Sequence, residues 1–226
     1  ASMGELYILH EAGVDLSKVY FHGNNKLEKE LRYAIEHQVG HIVLDNIDEA
    51  HLLMTLLEEY ETHQAVLIRV NPTVQTNTHE YIKTSEADSK FGIALKDPQL
   101  FTLIESLIKH QYIHLDGFHS HIGSQIFEKA SFYEAATTLL TFYRQIENQY
   151  QLNLPILNLG GGFGVAYTEN DPQLDLGAFL SHYAQRVAAE IIAYDLPIKK
   201  IVIEPGRSLI NQSIHTLYTV GAQKTT

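Results

Sequence analysis

The feature that most constrains the fold is a regular alternation of short apolar runs with longer amphipathic ones. Six runs have the length and the β-branched content of buried strands: 19–22, 42–45, 66–71, 114–121, 156–159 and 201–204. Five helical patterns lie between or beside them, at 26–37, 47–60, 98–110, 131–148 and 176–194. Because strands that alternate with helices pair in parallel, this order predicts an α/β fold with helices covering a parallel sheet.

Composition excludes several classes of function. The chain has 16 Lys+Arg against 27 Asp+Glu, a formal net charge of −11, so we expect no nucleic-acid partner. It contains no Cys, which excludes disulfides, cysteine-ligated zinc and a cysteine nucleophile among these residues. No apolar run approaches the roughly 20 residues of a membrane helix, and residues 1–20 lack the pattern of a signal peptide. We therefore expect a cytoplasmic protein that does not bind membranes.

Residues suited to binding an anion follow the last two predicted strands. Gly160, Gly161, Gly162 and Gly164 come after one of them, and glycines let backbone N–H groups approach a phosphate closely. A tight turn from strand to helix would explain the same glycines. Glu204-Pro205-Gly206-Arg207 ends the other strand and offers a forked cation for a phosphate or carboxylate. A salt bridge between Glu204 and Arg207 is the plain alternative.

The fourth strand run ends in His119-Ser120-His121, which has two interpretations. Residues i and i+2 of a strand point to one face, so the pair could begin a metal site with ligands from His22, Asp45, Asp88 or Glu204. That arrangement would suit a metal-dependent hydrolase. In the other interpretation one histidine is buried, and His121 covers the face of a bound ring.

Taken together, these motifs match one ligand. Ser124, the glycines and Arg207 could hold a phosphate, Glu204 a basic ring nitrogen, and an imidazole the face of the ring. A phosphate, a basic ring nitrogen and an aromatic face occur together in pyridoxal 5′-phosphate, so the sequence indicates this cofactor.

With these motifs the chain resembles the diaminopimelate decarboxylases, which are pyridoxal-phosphate-dependent enzymes built on an alanine-racemase-type (β/α)8 barrel. The matching motifs run in the family's order over almost the whole chain. They are Phe21-His22-Gly23-Asn24-Asn25-Lys26, Arg69-Val70-Asn71-Pro72, Thr78-His79-Glu80-Tyr81-Ile82-Lys83-Thr84, Ser89-Lys90-Phe91-Gly92, His121-Ile122-Gly123-Ser124, Gly160-Gly161-Gly162-Phe163-Gly164 and Glu204-Pro205-Gly206-Arg207.

The resemblance implies an activity and a set of site residues. The activity is the conversion of meso-2,6-diaminopimelate to L-lysine and CO₂ in lysine biosynthesis, by a homodimer or higher homo-oligomer. His121 and Glu204 are implied as catalytic residues, and no metal is implied. Arg207 is implied to bind a substrate carboxylate, and Arg69 to support His121. The implied contacts with pyridoxal phosphate come from His121, Ser124, Gly161, Gly162, Glu204, Pro205, Gly206 and Arg207.

The resemblance also implies that part of the enzyme is missing. The family's cofactor-binding lysine lies in an aromatic-Ala-x-Lys-Ala-Asn motif, which none of the eleven lysines here matches. We expect residues 1–212 to form six of the eight barrel strands, and 213–226 to begin a C-terminal β-domain whose remainder is absent. We expect this truncated chain to be inactive alone. A noncatalytic, regulatory barrel that binds pyridoxal phosphate remains the alternative.

Overall fold

The computed structural model describes residues 2–72 and 90–211, together with 213, 217, 219, 221 and 222. Its centre is a parallel sheet with the strand order β1-β2-β3-β5-β6-β7. A short strand, β4, pairs with β3 outside this path. The strands are β1 (Tyr20–Phe21), β2 (His41–Leu44), β3 (Gln64–Asn71), β4 (Ile93–Ala94), β5 (Ile113–His119), β6 (Ile156–Asn158) and β7 (Lys200–Val202).

Helices connect the strands and cover the sheet. They are α1 (Met3–Glu11), α2 (Glu28–Glu36), α3 (Ile47–Tyr60), α4 (Pro98–Lys109), α5 (Lys129–Tyr150), α6 (Leu176–Ala193) and α7 (Gly206–Ile210), with a 3-10 turn at Leu16–Lys18. Within the part of the chain that the structure describes, every strand pair is parallel. This architecture confirms the predicted α/β fold, a partial (β/α)8 barrel with six strands along the main path of the sheet.

The core lies between the sheet and its helices and brings the carboxyl ends of the strands together. Phe118 of β5 is fully buried against Phe142 and Tyr143 of α5. Tyr143 reaches into the sheet, where its hydroxyl accepts a 2.7 Å hydrogen bond from the Phe118 N–H and donates to the Ile156 carbonyl. α5 is thereby fixed against two adjacent strands, whose following loops carry predicted site residues.

A polar cluster lies near the amino ends of the strands, away from those loops. Asp116 Oδ2 is 2.8 Å from His41 Nε2, and its Oδ1 is 2.5 Å from His114 Nδ1. Burial acts to raise the pKa of Asp116, but the hydrogen bonds from the two histidines outweigh it and hold that pKa below its ordinary value. The carboxylate of Asp116 therefore stays ionised and links β5 to His41 of β2.

The structure adds elements that the sequence patterns did not predict, namely α1, β4 and α7. Every predicted strand except the third also ends before its predicted limit, so His121 lies in the loop after β5 and Glu204 in the loop after β7. Asp88 and the segment from Thr78 to Thr84 lie outside the described residues. Among the helices that the structure describes, none is long and apolar enough to cross a membrane.

Candidate cofactor-binding site

Three loops meet where β5, β6 and β7 end, and backbone hydrogen bonds hold them together beyond the strands. The Ser120 N–H donates to the Asn158 carbonyl at 2.9 Å, and the Glu204 N–H donates to the Gly160 carbonyl at 2.8 Å. These bonds continue the pairing of the sheet for two more residues. The motifs containing His121, the glycines and Glu204 are therefore adjacent in space, as the sequence predicted.

Asn158 orients two of these loops from a position that the sequence analysis did not single out. Its side chain is fully buried at the end of β6. The amide oxygen accepts from the Gly160 N–H at 3.0 Å, and the amide nitrogen donates to Glu204 Oε1 at 2.8 Å. The sequence signal that could have identified Asn158 is its place as a single polar residue between Leu157 and Leu159, just ahead of the glycine loop.

The carboxylate of Glu204 lies between two histidines. Its Oε1 is 2.7 Å from His22 Nε2, and its Oε2 is 3.5 Å from His119 Nε2. Burial acts to raise the pKa of Glu204, but the contacts with His119 and His22 outweigh it and hold the pKa well below its ordinary value. Burial lowers the pKa of His119 to about 4. At neutral pH the site therefore holds an ionised carboxylate beside a neutral imidazole.

Two glycines leave backbone where a side chain would not fit. A Cβ on Gly161 would lie 2.1 Å from the carbonyl oxygen of Glu204. Gly162 has a φ of +101°, and a Cβ there would lie 2.1 Å from the carbonyl oxygen of Gly123. Since both obstacles are backbone atoms, a larger residue could be accommodated only by separating the loops. Phe163 anchors the same segment by stacking on Phe132, with ring centroids 4.9 Å apart.

A cavity of about 200 Å³ opens over this arrangement. Seven of the eight predicted cofactor-binding residues line it, and the eighth, Gly161, lies directly beside them in the glycine loop. The lining consists of His121, Ser124, Gly162, Phe163, Glu204, Pro205, Gly206, Arg207 and Ser208. The predicted residues thus converge on one concave surface.

His121 and Arg207 flank this cavity in different ways. The Gly161 N–H donates to His121 Nδ1 at 3.3 Å, which leaves Nε2 to carry the proton of the neutral ring. Burial is the main cause that lowers the pKa of His121, so this imidazole is neutral and suited to stacking. Arg207 is exposed and donates from Nη1 to the Tyr167 hydroxyl at 2.8 Å. Tyr167, which the sequence did not point to, therefore orients the guanidinium, and the alternative of a salt bridge from Arg207 to Glu204 does not form.

A buried ion pair fixes the loop that carries His22. The Lys26 ammonium lies 2.7 Å from Glu49 Oε1 and also donates to the carbonyls of Gly23 and Val43, at 2.6 and 2.8 Å. The two charged side chains are only 2% and 3% exposed. His22 is thereby held next to Glu204 by contacts deeper in the fold.

The histidine pair predicted for a metal site does not act as one unit. His119 is buried and contacts His22 and Glu204, whereas His121 lines the cavity and accepts from Gly161. Asp45, another candidate ligand, accepts from the Gly92 N–H at 3.0 Å and pairs with Arg69 at 3.3 Å. Arg69 is thus an ion-pair partner of Asp45.

A second cavity, of about 610 Å³, lies between the amino ends of α3 and α4. Asp45, Asp48 and Asp97 contribute to its lining. Three carboxylates do not suit a phosphate, so the smaller cavity is the better cofactor site.

The residues of the smaller cavity fit pyridoxal phosphate. The backbone of the glycine loop and the Ser124 hydroxyl offer hydrogen-bond donors, which suits a phosphate. Added Cβ atoms on Gly161 and Gly162 would collide with neighbouring carbonyls, so only glycine leaves this backbone accessible. The ionised Glu204 suits a protonated ring nitrogen, and the neutral His121 suits an aromatic face.

Sequence comparisons give the same result. Residues 1–211 match the family model described as "Pyridoxal-dependent decarboxylase, pyridoxal binding domain". A diaminopimelate decarboxylase from Bacillus subtilis is 43% identical over 223 residues, covering 99% of this chain and 51% of the relative. One from Staphylococcus aureus is 39% identical over 225 residues, covering 99% and 51%. The chain thus spans about half the length of these curated relatives.

Solved structures with the same fold lead to the family as well. Diaminopimelate decarboxylase from M. jannaschii, in complex with L-lysine, superposes with a TM-score of 0.82 at 29% identity, covering 92% of this chain and 48% of that one. The enzyme from Helicobacter pylori, also complexed with L-lysine, gives 0.79 at 26% identity, covering 92% and 50%. With its fold, its cavity and the family match over residues 1–211 in agreement, this chain belongs to the pyridoxal-dependent decarboxylases and contains their pyridoxal-binding domain.

Proposed function

We propose that the chain is the cofactor-binding part of a diaminopimelate decarboxylase, which converts meso-2,6-diaminopimelate to L-lysine and CO₂. The names of the similar proteins support this substrate. The observation that carries the proposal is the ionised Glu204 carboxylate in a cavity lined by glycine backbone. Pyridoxal phosphate, when bound, supplies an electron sink for the electron pair left by loss of CO₂.

Glu204 is proposed to keep the ring nitrogen of the cofactor protonated. Its Oε1 already accepts from Asn158 and lies next to His22, so Oε2 is the oxygen available to the ring. An ionised carboxylate stabilises a proton on a nearby base, because separating the two charges would cost energy in a partly buried site. Glu204 thereby favours decarboxylation, for which a protonated ring is the stronger electron sink.

The other residues around the cavity are proposed to bind and orient the cofactor and the substrate. His121, neutral and held by Gly161, is proposed to stack on one face of the ring. Ser124, Gly162 and Gly206 are proposed to contact the phosphate, with Gly161 and Pro205 shaping the loops beside it. Arg207 is proposed to reach both the phosphate and a substrate carboxylate, because its forked guanidinium can bind two oxygens at once.

The chain's wider organisation is also part of the proposal. We infer that residues 1–212 belong to the barrel and that 213–226 begin a C-terminal β-domain. Within the described sheet β1 and β7 each have one neighbour, and exposed strand edges favour pairing with further strands. A homodimer or higher homo-oligomer in the cytoplasm is the proposed state of the whole enzyme.

Calorimetric titration with 4′-deoxypyridoxine 5′-phosphate tests the proposed site. This analogue keeps the ring and the phosphate but has no aldehyde, so it cannot react with surface lysines. We expect one binding site, weakened about 10- to 100-fold by Glu204→Gln, since a hydrogen bond to a charged group contributes about 1.5–3 kcal/mol.

Glu134→Gln is the matched control, because Glu134 is an exposed carboxylate on α5 away from the cavity. It should bind the analogue as the wild type does. The absence of saturable binding, or equal affinity in the wild type and Glu204→Gln, would contradict the proposal.

A further inference from the structure

We propose that His22, His119 and Glu204 also form a binding site for a divalent transition metal of the Zn²⁺ class. One ligand atom from each residue lies within 4.8 Å of the other two. Two imidazoles and one carboxylate are a common zinc ligand set, in which a fourth position remains open to an exchangeable ligand. Binding a metal ion would be a second use of Glu204, in addition to its proposed contact with the ring nitrogen of the cofactor.

The distances suit a small metal ion. Bonds of about 2.0–2.1 Å in tetrahedral geometry place neighbouring ligand atoms about 3.3 Å apart. The observed separations are of similar size: His22 Nε2 lies 2.7 Å from Oε1 of Glu204, and His119 Nε2 lies 3.5 Å from the other oxygen, Oε2. Side-chain movements that bring the three ligand atoms from their present separations, all within 4.8 Å, to this spacing would create the coordination geometry.

His119 is the residue that most needs a further partner. Its side chain is 2% exposed, and neither ring nitrogen makes a hydrogen bond within the described structure. The 3.5 Å separation from Glu204 exceeds the usual range of such bonds. A buried polar group without a partner is costly and calls for an explanation. A metal ion bound at Nε2 would supply the missing interaction.

The hydrogen bond to Glu204 and the type of ligand atoms also favour a transition metal at this site. Asn158 donates to Glu204 Oε1, which orients the carboxylate as outer partners do in metal sites. Nitrogen-rich ligand sets favour Zn²⁺, Co²⁺ or Ni²⁺ over Mg²⁺ and Ca²⁺, which prefer oxygen.

The shared carboxylate has a consequence that rests on the proposed function. If Glu204 binds a ring nitrogen, a metal ion and the cofactor compete for it. Zn²⁺ would then act as an inhibitor that keeps the cofactor out of the cavity.

The test is a titration of the tag-free chain with Zn²⁺ by calorimetry, and with Co²⁺ by visible absorption, without any cofactor. We expect one site and a Co²⁺ spectrum of low coordination number. His22→Gln and Glu204→Gln should each weaken binding more than about 100-fold, because even outer-shell partners of a metal are worth about 10- to 100-fold.

His182→Gln is the control, because His182 is an exposed histidine on α6 outside the cluster. Circular dichroism of each variant serves to check that it is folded. No binding at micromolar Zn²⁺, or equal loss in the control, would overturn the proposal. Since no cofactor is present, neither result depends on the proposed function.

A second titration tests the shared carboxylate. Saturating 4′-deoxypyridoxine 5′-phosphate should lower the apparent affinity for Zn²⁺ at least tenfold. Unchanged Zn²⁺ affinity in a chain that demonstrably binds the analogue would overturn the competition.

Discussion

Replacing Lys26 with methionine should destabilise the whole domain, although Lys26 lies outside the cavity. Its ammonium contacts one carboxylate and two carbonyl oxygens at 2.6–2.8 Å. Methionine would leave Glu49 buried without its partner, and breaking a buried ion pair costs about 3–5 kcal/mol. At about 2–4 °C per kcal/mol for a domain of this size, the melting temperature should fall by about 6–20 °C.

Urea unfolding followed by far-UV circular dichroism measures this loss, since the chain has no Trp to report by fluorescence. Lys26→Met/Glu49→Leu should recover most of the stability, because apolar residues of similar volume can replace a buried pair. Arg32→Met is the control, because Arg32 bridges exposed Glu28 and Glu59 and should lose at most about 1 kcal/mol. Equal losses in Lys26→Met and Arg32→Met, or no recovery in the double variant, would refute the reasoning.

Three further predictions follow from other parts of the structure. Gly161→Ala should weaken binding of 4′-deoxypyridoxine 5′-phosphate more than tenfold in calorimetry, because the new Cβ would meet the Glu204 carbonyl, whereas Gly177→Ala, with 3.7 Å of space, should not. Asp116 has a lowered pKa, so its contribution to stability is complete above the unfolded-state pKa of about 3.9 and is lost as the pH falls. Asp116→Asn should flatten this part of the pH–stability curve, and an unchanged curve would contradict it. Tyr143→Phe should cost about 1–3 kcal/mol in urea unfolding, because it leaves buried backbone groups unpaired, and a neutral substitution would show that water replaces the hydroxyl.

Local sequence signals predicted the elements that depend on nearby residues. α3 was predicted with its observed limits, because Asn46 caps it by accepting from the Glu49 N–H at 2.9 Å. α1 also has a local signal, the capping box of Ser2 and Glu5. It was not predicted as a helix, because its apolar residues are consecutive and do not mark a single face.

The sequence predicted the site residues whose type and position indicate their role. It missed the residues whose role depends on contacts with distant loops. Glu204, His121 and the glycines each have another explanation, but their joint occurrence after three strands matches one ligand, and that combination made them predictable. The sequence predicted His22 and Glu204 only as candidate ligands of one metal site; their direct contact depends on loops after strands at opposite ends of the sheet, which no local pattern contains. The same holds for Asn158 and for Tyr167, whose partners lie in other loops.

The proposed function depends above all on Glu204 holding a protonated ring nitrogen in this cavity. Nuclear magnetic resonance of 4′-deoxypyridoxine 5′-phosphate, isotopically labelled at the ring nitrogen and bound to the chain, tests it most directly. We expect a protonated nitrogen in the wild type that persists above the pH at which the free analogue loses its proton, and loss of that proton in Glu204→Gln. A neutral nitrogen in the wild type, or a signal unchanged by Glu204→Gln, would contradict it.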